Sequence, residues 1–577
     1  MSQHVGSIPQ DDADLLWVDH RDEEDGLVEA VSARIAPEDA MTFEWRDEEA
    51  WVSYRDEAHR LPLTFSPVDR YVALSSIAWL LRDRYAVWLL TSSLGGDTHG
   101  LLLLPIPEAA AMSAAEVAAL EARFTRLALG HCHFHDAPVP YVDHPLDAAS
   151  AVEAAPMNIL YVNHYHGSPA HGMEFRPYYL AREWVRAGHR VQMLAASFSH
   201  VRAVQPAMPA DGRPLDEVID GIAYRWYPTP AYQGNGVARV KNIAAFCTAA
   251  WRDTERLVEK VRPDVVIASS TYPMDIWVAR HIARRANATL VFEVHDLWPL
   301  SPIELSGMSP RQPFALLCAW AEGTAYRDAD VVVSMLPCVH DYMASRGLDL
   351  ARLVVVPNGI SPDDWAAAPA PLRADVADAI AAARAKGHTV VGYAGSMGLP
   401  NALDVLLDAA GRLRDTGEPI SIVLVGDGHE RARLAARVPA ESLANVSFLP
   451  PIPKAQVPSF LAAIDIAYIG WQRVPIYRFG IAPNKLMDYL MAGRAVLHSV
   501  EAGNDPVAEA GCGITVPPED PAAVADGLRR LVAVGAVERA AMGERGRAYV
   551  LARHTYPVLA QRFLDAVRSA ATRRRAG

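Results

Sequence analysis

At 577 residues and 62.8 kDa the chain exceeds the roughly 250–300 residues that a single hydrophobic core serves, so two or three domains are expected. Hydrophobic residues at 51%, charged residues at 21% and a mean hydropathy of +0.04 exclude a disordered or collagen-like chain. A net charge of −14 argues against nucleic-acid binding, and residues 1–60 concentrate the imbalance, with 17 Asp and Glu against 5 Arg.

That acidic opening, DDADLLWVDHRDEEDG, reads as a solvated face or as the contact for a basic protein partner. No apolar run reaches the roughly 18 residues of a membrane span, and Met1–Gln10 lacks an apolar signal core, so a cytoplasmic location is expected. Cys132, Cys247, Cys318, Cys338 and Cys512 form no CxxC pair and read as free thiols.

Residues 1–135 alternate β-like runs (Met41–Trp45, Trp51–Tyr54, Tyr85–Thr91, Gly100–Leu104) with helical ones (Val72–Leu81, Ala114–Leu129), which predicts a small accessory α+β domain of unknown role. On a strand, His131, His133 and His135 would share a side where imidazoles can ligate zinc. Only His144 stands near as a further ligand, so a solvated segment is expected instead and no metal is assigned. Residues 136–156, rich in Ala, Asp and Pro, read as a linker.

From Met157 the pattern becomes β-loop-α-β, with strand Asn158–Val162, helix Arg176–Ala187 and strand Arg190–Ala195. Strands Asp264–Ala268, Ala288–Val294, Ala329–Ser334 and Leu353–Pro357 continue it, with helical stretches such as Asn242–Val261 between them. After the Pro/Ala-rich segment Ser361–Lys386 a second series begins: Thr389–Ala394, Ile420–Val425, Val446–Leu449, Ile464–Ile469 and Ala495–Ser499. Two parallel sheets covered on both faces are predicted, spanning 157–350 and 351–545, with a helix and basic tail over 546–577 that can return to the first sheet. Ligands of such folds bind beyond the carboxyl ends of the strands, and a cleft between two such domains is the natural site.

The segment IAPNKLMDYLMAG, Ile481–Gly493, is the richest in chemistry. Pro483 suits a first helical turn and Gly493 a stop; Asn484 opens the helix, and Lys485 and Asp488 share a face at i, i+3. Free backbone N–H groups and an ammonium both favour phosphate oxygens, and a carboxylate a turn deeper can accept hydrogen bonds from ribose hydroxyls. A surface ion pair would explain the same two residues. Two strand-end glycine turns, Gly395-Ser396-Met397-Gly398 before the helix Asn401–Leu413, and Gly426-Asp427-Gly428, let backbone amides approach a diphosphate. In the first sheet, the loop from Gly167 through Gly172 to Arg176 can admit a sugar, with Glu174 or Arg176 as contacts. His295-Asp296 closes a strand, where a histidine beside a carboxylate suits work on a substrate hydroxyl; a structural histidine is the alternative.

These residues resemble the retaining, nucleotide-sugar-dependent glycosyltransferases of family 4, which have the two-domain GT-B fold. The resemblance covers about Met157 to Arg562. It is carried by MNILYVNHYHGSPAHGMEFRPYYLAREWVRAGHRV, EVHDLWPLSP, VVPNGISPDDW, GYAGSMG, LVGDGHERARL, NVSFLPPIPKAQVPSFLAAIDI and APNKLMDYLMAGRAV. Bacterial O-antigen and capsule enzymes of the N-acetyl-L-fucosamine-transferring type are similar.

The resemblance implies a nucleotide diphosphate sugar on the C-terminal domain, a glycan or polyprenyl-linked acceptor on the N-terminal domain, no cofactor and no required metal. By motif it places Asp488 at the donor ribose, Gly395 and Ser396 at the diphosphate and His295 in the cleft near the donor sugar. The turns, loop and helix read above add Gly172, Gly426, Gly428, Pro483 and Asn484 as donor-side candidates and Glu174, Arg176 and Asp296 as acceptor-side candidates. The sequence departs from the family where a sugar-contacting glutamate is common, which is Gly480 here, and where a basic pair is usual, replaced by Ser396 and Asn401. Lys485, Arg473 and Arg478 are the candidates to supply the missing positive charge.

Retention implies that stabilising the departing diphosphate is the main catalytic task, so His295 and Lys485 are the expected catalytic residues and no nucleophile is assigned. A degenerate GT-B protein that binds nucleotide sugars as a scaffold, and an epimerase on the same fold, are the alternatives. Arg568, Arg573, Arg574 and Arg575 form a basic tail that could sit on anionic lipid at the inner membrane face, or stay solvated.

Overall fold

The computed structural model describes residues 15–576 except 20–23, 47–48, 56, 64–68, 94–97, 128, 130, 133–136, 140, 143–155, 173–174, 235 and 367. The first fourteen residues, His133, His135, His144, Glu174 and most of the expected linker thus lie outside the described residues. The chain divides into two compact units, Met1–Ala155 and Pro156–Gly577.

In the first unit, Leu16–Asp19, Thr98–Pro105, Tyr85–Leu90 and Phe124–Arg126 form a four-stranded antiparallel sheet in that order. Met41–Arg46, Glu49–Tyr54 and Glu57–Arg60 form a three-stranded meander. Helix Asp69–Leu81 supplies Ala73, Leu74, Ile77 and Leu81 to a core shared with Val52, Leu89 and Leu101. The helix expected over Ala114–Leu129 begins with a capping box of Ser113 and Glu116 but stops at Arg123, because Phe124–Arg126 pairs with Leu90–Trp88 as a strand. His131–Cys132 pairs with Ala137–Pro138, and among the described residues no cluster of three or more His, Cys, Asp or Glu side chains stands ready to hold a metal.

The second unit contains two sheets, each with apolar clusters on both faces. The first has eight strands in the order Leu215–Ile219, Ile222–Tyr227, Arg190–Ala196, Asn158–Val162, Val265–Ala268, Thr289–Val294, Val331–Ser334 and Leu353–Val355. All pairs are parallel except the edge hairpin 215–227, absent from the sequence reading, whose two-residue turn Asp220-Gly221 has φ of 51° and 79°. Positive φ at both central residues is the turn geometry that follows the twist of the flanking strands.

The second sheet has six parallel strands, Val446–Leu449, Ile420–Asp427, Thr389–Ser396, Ile466–Gly470, Ala495–Ser499 and Gly513–Val516, with Thr389–Ser396 and Ile420–Asp427 in register over their full length. The segment read as merely Pro/Ala-rich carries helix Ala374–Ala385, whose Val376, Ile380 and Ala383 are buried in this lobe. The stretch 242–261 is two helices, Val237–Arg252 and Thr254–Val261, broken at Asp253, whose carboxylate accepts from Arg225 and Tyr227.

Helix Gly535–Arg553 covers the second sheet, and the chain then crosses at Thr555 to helix Tyr556–Ala576, which packs on the first. Tyr556 stacks on Tyr179 at 4.8 Å, Phe563 meets Trp184, and the Trp184 indole N–H donates to the Ala560 carbonyl at 3.1 Å. Two arginines of the basic tail are engaged by protein: Arg574 with the Ala288 carbonyl, Asn287 and Asp330, and Arg568 with Asp565. Among the described residues no helix is long and apolar enough to cross a membrane.

Candidate active site

At the carboxyl ends of the second sheet, a cavity of about 290 Å³ is lined by Gly395, Ser396, Gly426, Asp427, Pro451, Ile452, Val457, Lys485 and Asp488, among others. The two glycine turns meet because Gly395 and Gly426 are ladder partners on adjacent strands. A Cβ on Gly395 would stand 2.6 Å from Lys485 Cε, and one on Gly426 would run into the Gly395 carbonyl. Side chains are excluded there, so backbone is what the cavity meets.

Lys485 and Asp488 enter on helix Asn484–Met491, whose Leu486, Met487, Tyr489 and Leu490 are buried beneath it. Pro483 is the residue before the first turn, where its missing N–H costs nothing, and Asn484 is exposed. Lys485 Nζ donates to Tyr393 Oη at 2.6 Å and to Asn401 Oδ1 at 3.0 Å, and lies 4.0 Å from the Tyr393 ring centroid. Both hydrogen-bond partners are neutral, and burial lowers the ammonium to about 7. Burial likewise raises Asp488 to about 6, with Lys454 pulling it down and Asp364 pushing it up. The cavity thus holds a cation and a carboxylate, each shifted toward its neutral form by its surroundings. Asn401, which stands where the family commonly has a basic residue, holds that lysine.

Other donor-side expectations fall elsewhere. Gly428 and Gly172 do not line this cavity; Gly172, at φ 70°, closes the 3-10 turn Pro169–His171. Arg473 pairs with Glu501 at 3.4 Å on the surface, and Arg478 makes a two-pronged bond to Glu304 at 2.7 and 2.8 Å across the lobes. Beside it Phe479 packs on Tyr342, and the Cys338 N–H donates to the Phe479 carbonyl. Gly480 adopts φ 93°, and a Cβ there would approach the Pro337 ring to 2.6 Å and Asn504 Oδ1 to 2.9 Å. A glutamate at this position would therefore collide with the first lobe as the two are seated here.

In the first lobe, His295 follows strand Thr289–Val294 at its carboxyl end. Its Nε2 lies 2.9 Å from Ser269 Oγ and 3.3 Å from Glu293 Oε2. Asp296, expected as its partner, is exposed and faces Ser301 and Trp298. The chain leaves the strand after Val294, and the His295 ring turns back toward Glu293 and Ser269 while the Asp296 carboxylate turns to Ser301 and Trp298. Arg176 is corrected too. It is buried, donates from Nε to Glu293 Oε1 at 3.0 Å and from its terminal nitrogens to the Val356 and Pro357 carbonyls, so it serves the protein interior and not an acceptor. Burial would raise the Glu293 carboxyl, but Arg176 and His295 outweigh it and hold it well below the usual range.

Two domain families match in succession, together over more than half of the chain: the glycosyl transferase 4-like domain over residues 171–359 and the glycosyl transferases group 1 domain over residues 388–533. The chain is a GT-B glycosyltransferase of the family 4 type. A 145-residue stretch, 24% of the chain, is 28% identical to the putative colanic acid biosynthesis glycosyl transferase WcaI of Escherichia coli K12 and spans about a third, 35%, of that protein. Among solved structures, sucrose-phosphate synthase from Thermosynechococcus elongatus superposes with a TM-score of 0.53 at 18% identity, over 72% of this chain and 99% of that one. The E. coli trehalose-6-phosphate structure bound with UDP-2-fluoro glucose gives 0.54 at 12% identity, over 71% and 98%. Both extend the likeness in fold to more than 70% of this chain.

Proposed function

We propose that this glycosyltransferase retains configuration while moving a sugar from a nucleotide diphosphate sugar to a glycan or polyprenyl-linked acceptor in surface polysaccharide synthesis, and needs no cofactor. The observation that supports it most is Lys485: a lowered ammonium with neutral partners, beside two glycine turns and a carboxylate, is a site awaiting an anion. The diphosphate would lie against the backbone at Gly395 and Gly426, with the ribose hydroxyls on Asp488. Lys485 and the amides would then stabilise the charge that develops as the sugar–phosphate bond breaks, and the leaving phosphate would accept the proton of the attacking hydroxyl. His295 would hydrogen-bond a substrate hydroxyl from the opposite lobe. Exclusion of water by the two lobes would protect the donor from hydrolysis. The WcaI likeness supports the polysaccharide setting, and the structure bound with UDP-2-fluoro glucose makes UDP-sugars the first donors to try.

The rival reading, a nucleotide-sugar-binding scaffold, draws on the space denied to a side chain at Gly480. The two separate on nucleoside diphosphate release from UDP-glucose, UDP-N-acetylglucosamine and GDP-mannose, with and without a polyprenyl-diphosphate sugar acceptor. Acceptor-stimulated release is expected from at least one donor; tight donor binding with no release from any would favour the scaffold.

A further inference from the structure

The surroundings of His295 carry an inference that rests on the proposed role of that residue. Ser269 has a single hydroxyl proton, and its Oγ donates to Glu293 Oε2 at 2.6 Å. Its 2.9 Å contact with His295 Nε2 must then be one in which the ring donates and the hydroxyl accepts. Asn163 Nδ2 points the same way, approaching Ser269 Oγ at 3.3 Å as a donor. The imidazole therefore carries a proton on Nε2, and its neutral form has the lone pair on Nδ1.

Glu293 can impose this only while it remains an acceptor. Tyr161 Oη and Ser269 Oγ donate to Oε2, and Arg176 donates to Oε1, with Nη2 at 2.9 Å. The same guanidinium binds the Val356 and Pro357 carbonyls, and Asn358 Nδ2, the next residue along, donates to the Ala482 carbonyl at 2.8 Å. Ala482 stands just before the helix that bears Lys485 and Asp488. An unbroken series of bonds leads from the histidine of one lobe to the lysine helix of the other.

We propose that Glu293, acting through Ser269 and backed by Arg176, is a positioning residue: it fixes His295 with its proton on Nε2, and through the 356–358 segment it sets that ring relative to the donor-binding helix. The placement of a ring nitrogen decides whether a substrate hydroxyl meets an acceptor or a donor. Glu293→Gln inverts the series, because an amide can donate to Ser269 Oγ, whose proton then turns to the ring.

The test is a double-mutant cycle on the full chain, following nucleotide release from whichever of UDP-glucose, UDP-N-acetylglucosamine and GDP-mannose it turns over fastest. His295→Ala is expected to lower kcat about 100-fold, and Glu293→Gln about 10-fold with donor KM changed less than about twofold. In the His295→Ala background, Glu293→Gln should then cost less than about twofold, because its effect passes through the ring. Equal losses in both backgrounds would mean a merely structural glutamate and overturn the proposal while leaving the site intact. A His295→Ala variant as active as the parent, or no release from any of the three donors, overturns the site reading and this proposal with it.

Should Glu293→Gln fail to fold, Ser269→Ala takes its place in the same cycle, judged by the same additivity. The imidazole 15N spectrum of full chain labelled at histidine, with His295 assigned by its loss in His295→Ala, reads the tautomer directly. A proton on Nε2 is expected, and one on Nδ1 would refute the scheme.

Discussion

Two buried sites, one in each lobe, treat charge in opposite ways. In the first, Glu293 and Arg176 satisfy one another and each bonds further groups, so the carboxylate is held firmly ionised. In the second, Lys485 bonds a tyrosine and an asparagine among the described residues, and burial brings its ammonium to about 7 and the Asp488 carboxyl to about 6. Charge compensated within the protein marks structure and positioning; charge left uncompensated beside a cavity marks a place prepared for something else.

Substitution should break this contrast most sharply at Arg176. Arg176→Met strands the buried Glu293 carboxylate and is expected to lower stability by about 3–5 kcal/mol in denaturant unfolding, since removing one partner of a buried pair leaves an unpaired charge. Lys485→Met should act the other way round. It removes a cation that burial disfavours, so the melting temperature should not fall, while nucleotide release from the donor should drop about 10²–10³-fold, as expected for loss of a group that stabilises a departing anion. Equal damage to folding by both substitutions would erase the distinction.

Protonation gives a finer test. Lys485 in the folded chain titrates below the ordinary lysine range, so above about pH 7 the folded state sheds a proton that the unfolded state keeps. This residue's contribution to stability therefore grows as pH rises above about 7 and disappears as pH falls through it. A bound diphosphate restores the charge: UDP binding at pH 8 should take up close to one proton, and at pH 6 far less from this group. Calorimetry in two buffers of different ionisation enthalpy measures it, and Lys485→Met should abolish the uptake. The smallest effect is expected at Arg478, whose pair with Glu304 is half exposed. Arg478→Ala should change unfolding free energy by less than about 1 kcal/mol and leave UDP affinity unchanged.

Much of this was legible before any coordinates. The alternation of apolar strands with helices announced two covered parallel sheets, and the glycine turns with the lysine helix pointed to what proves to be the lining of one cavity. Glu293 was also within reach, because EVHD places it two residues before His295 on a predicted strand; adjacency drew attention to Asp296 instead. Arg176 was not within reach. Its role depends on a carboxylate 117 residues away and on carbonyls about 180 residues away, and an arginine in the first turn of a helix looks the same whether it faces solvent or an interior acid.

The sequence by itself determined the alternating strands and helices of the two parallel sheets and the faces they bury, because side-chain periodicity is set by local backbone geometry and needs no partner. Tertiary structure alone decided which charges are neutralised. The seat of Gly480 against Pro337, the neutral cradle of Lys485 and the ionised state of Glu293 all depend on groups brought together through space, where distance and desolvation, not order along the chain, fix the energy of a charge.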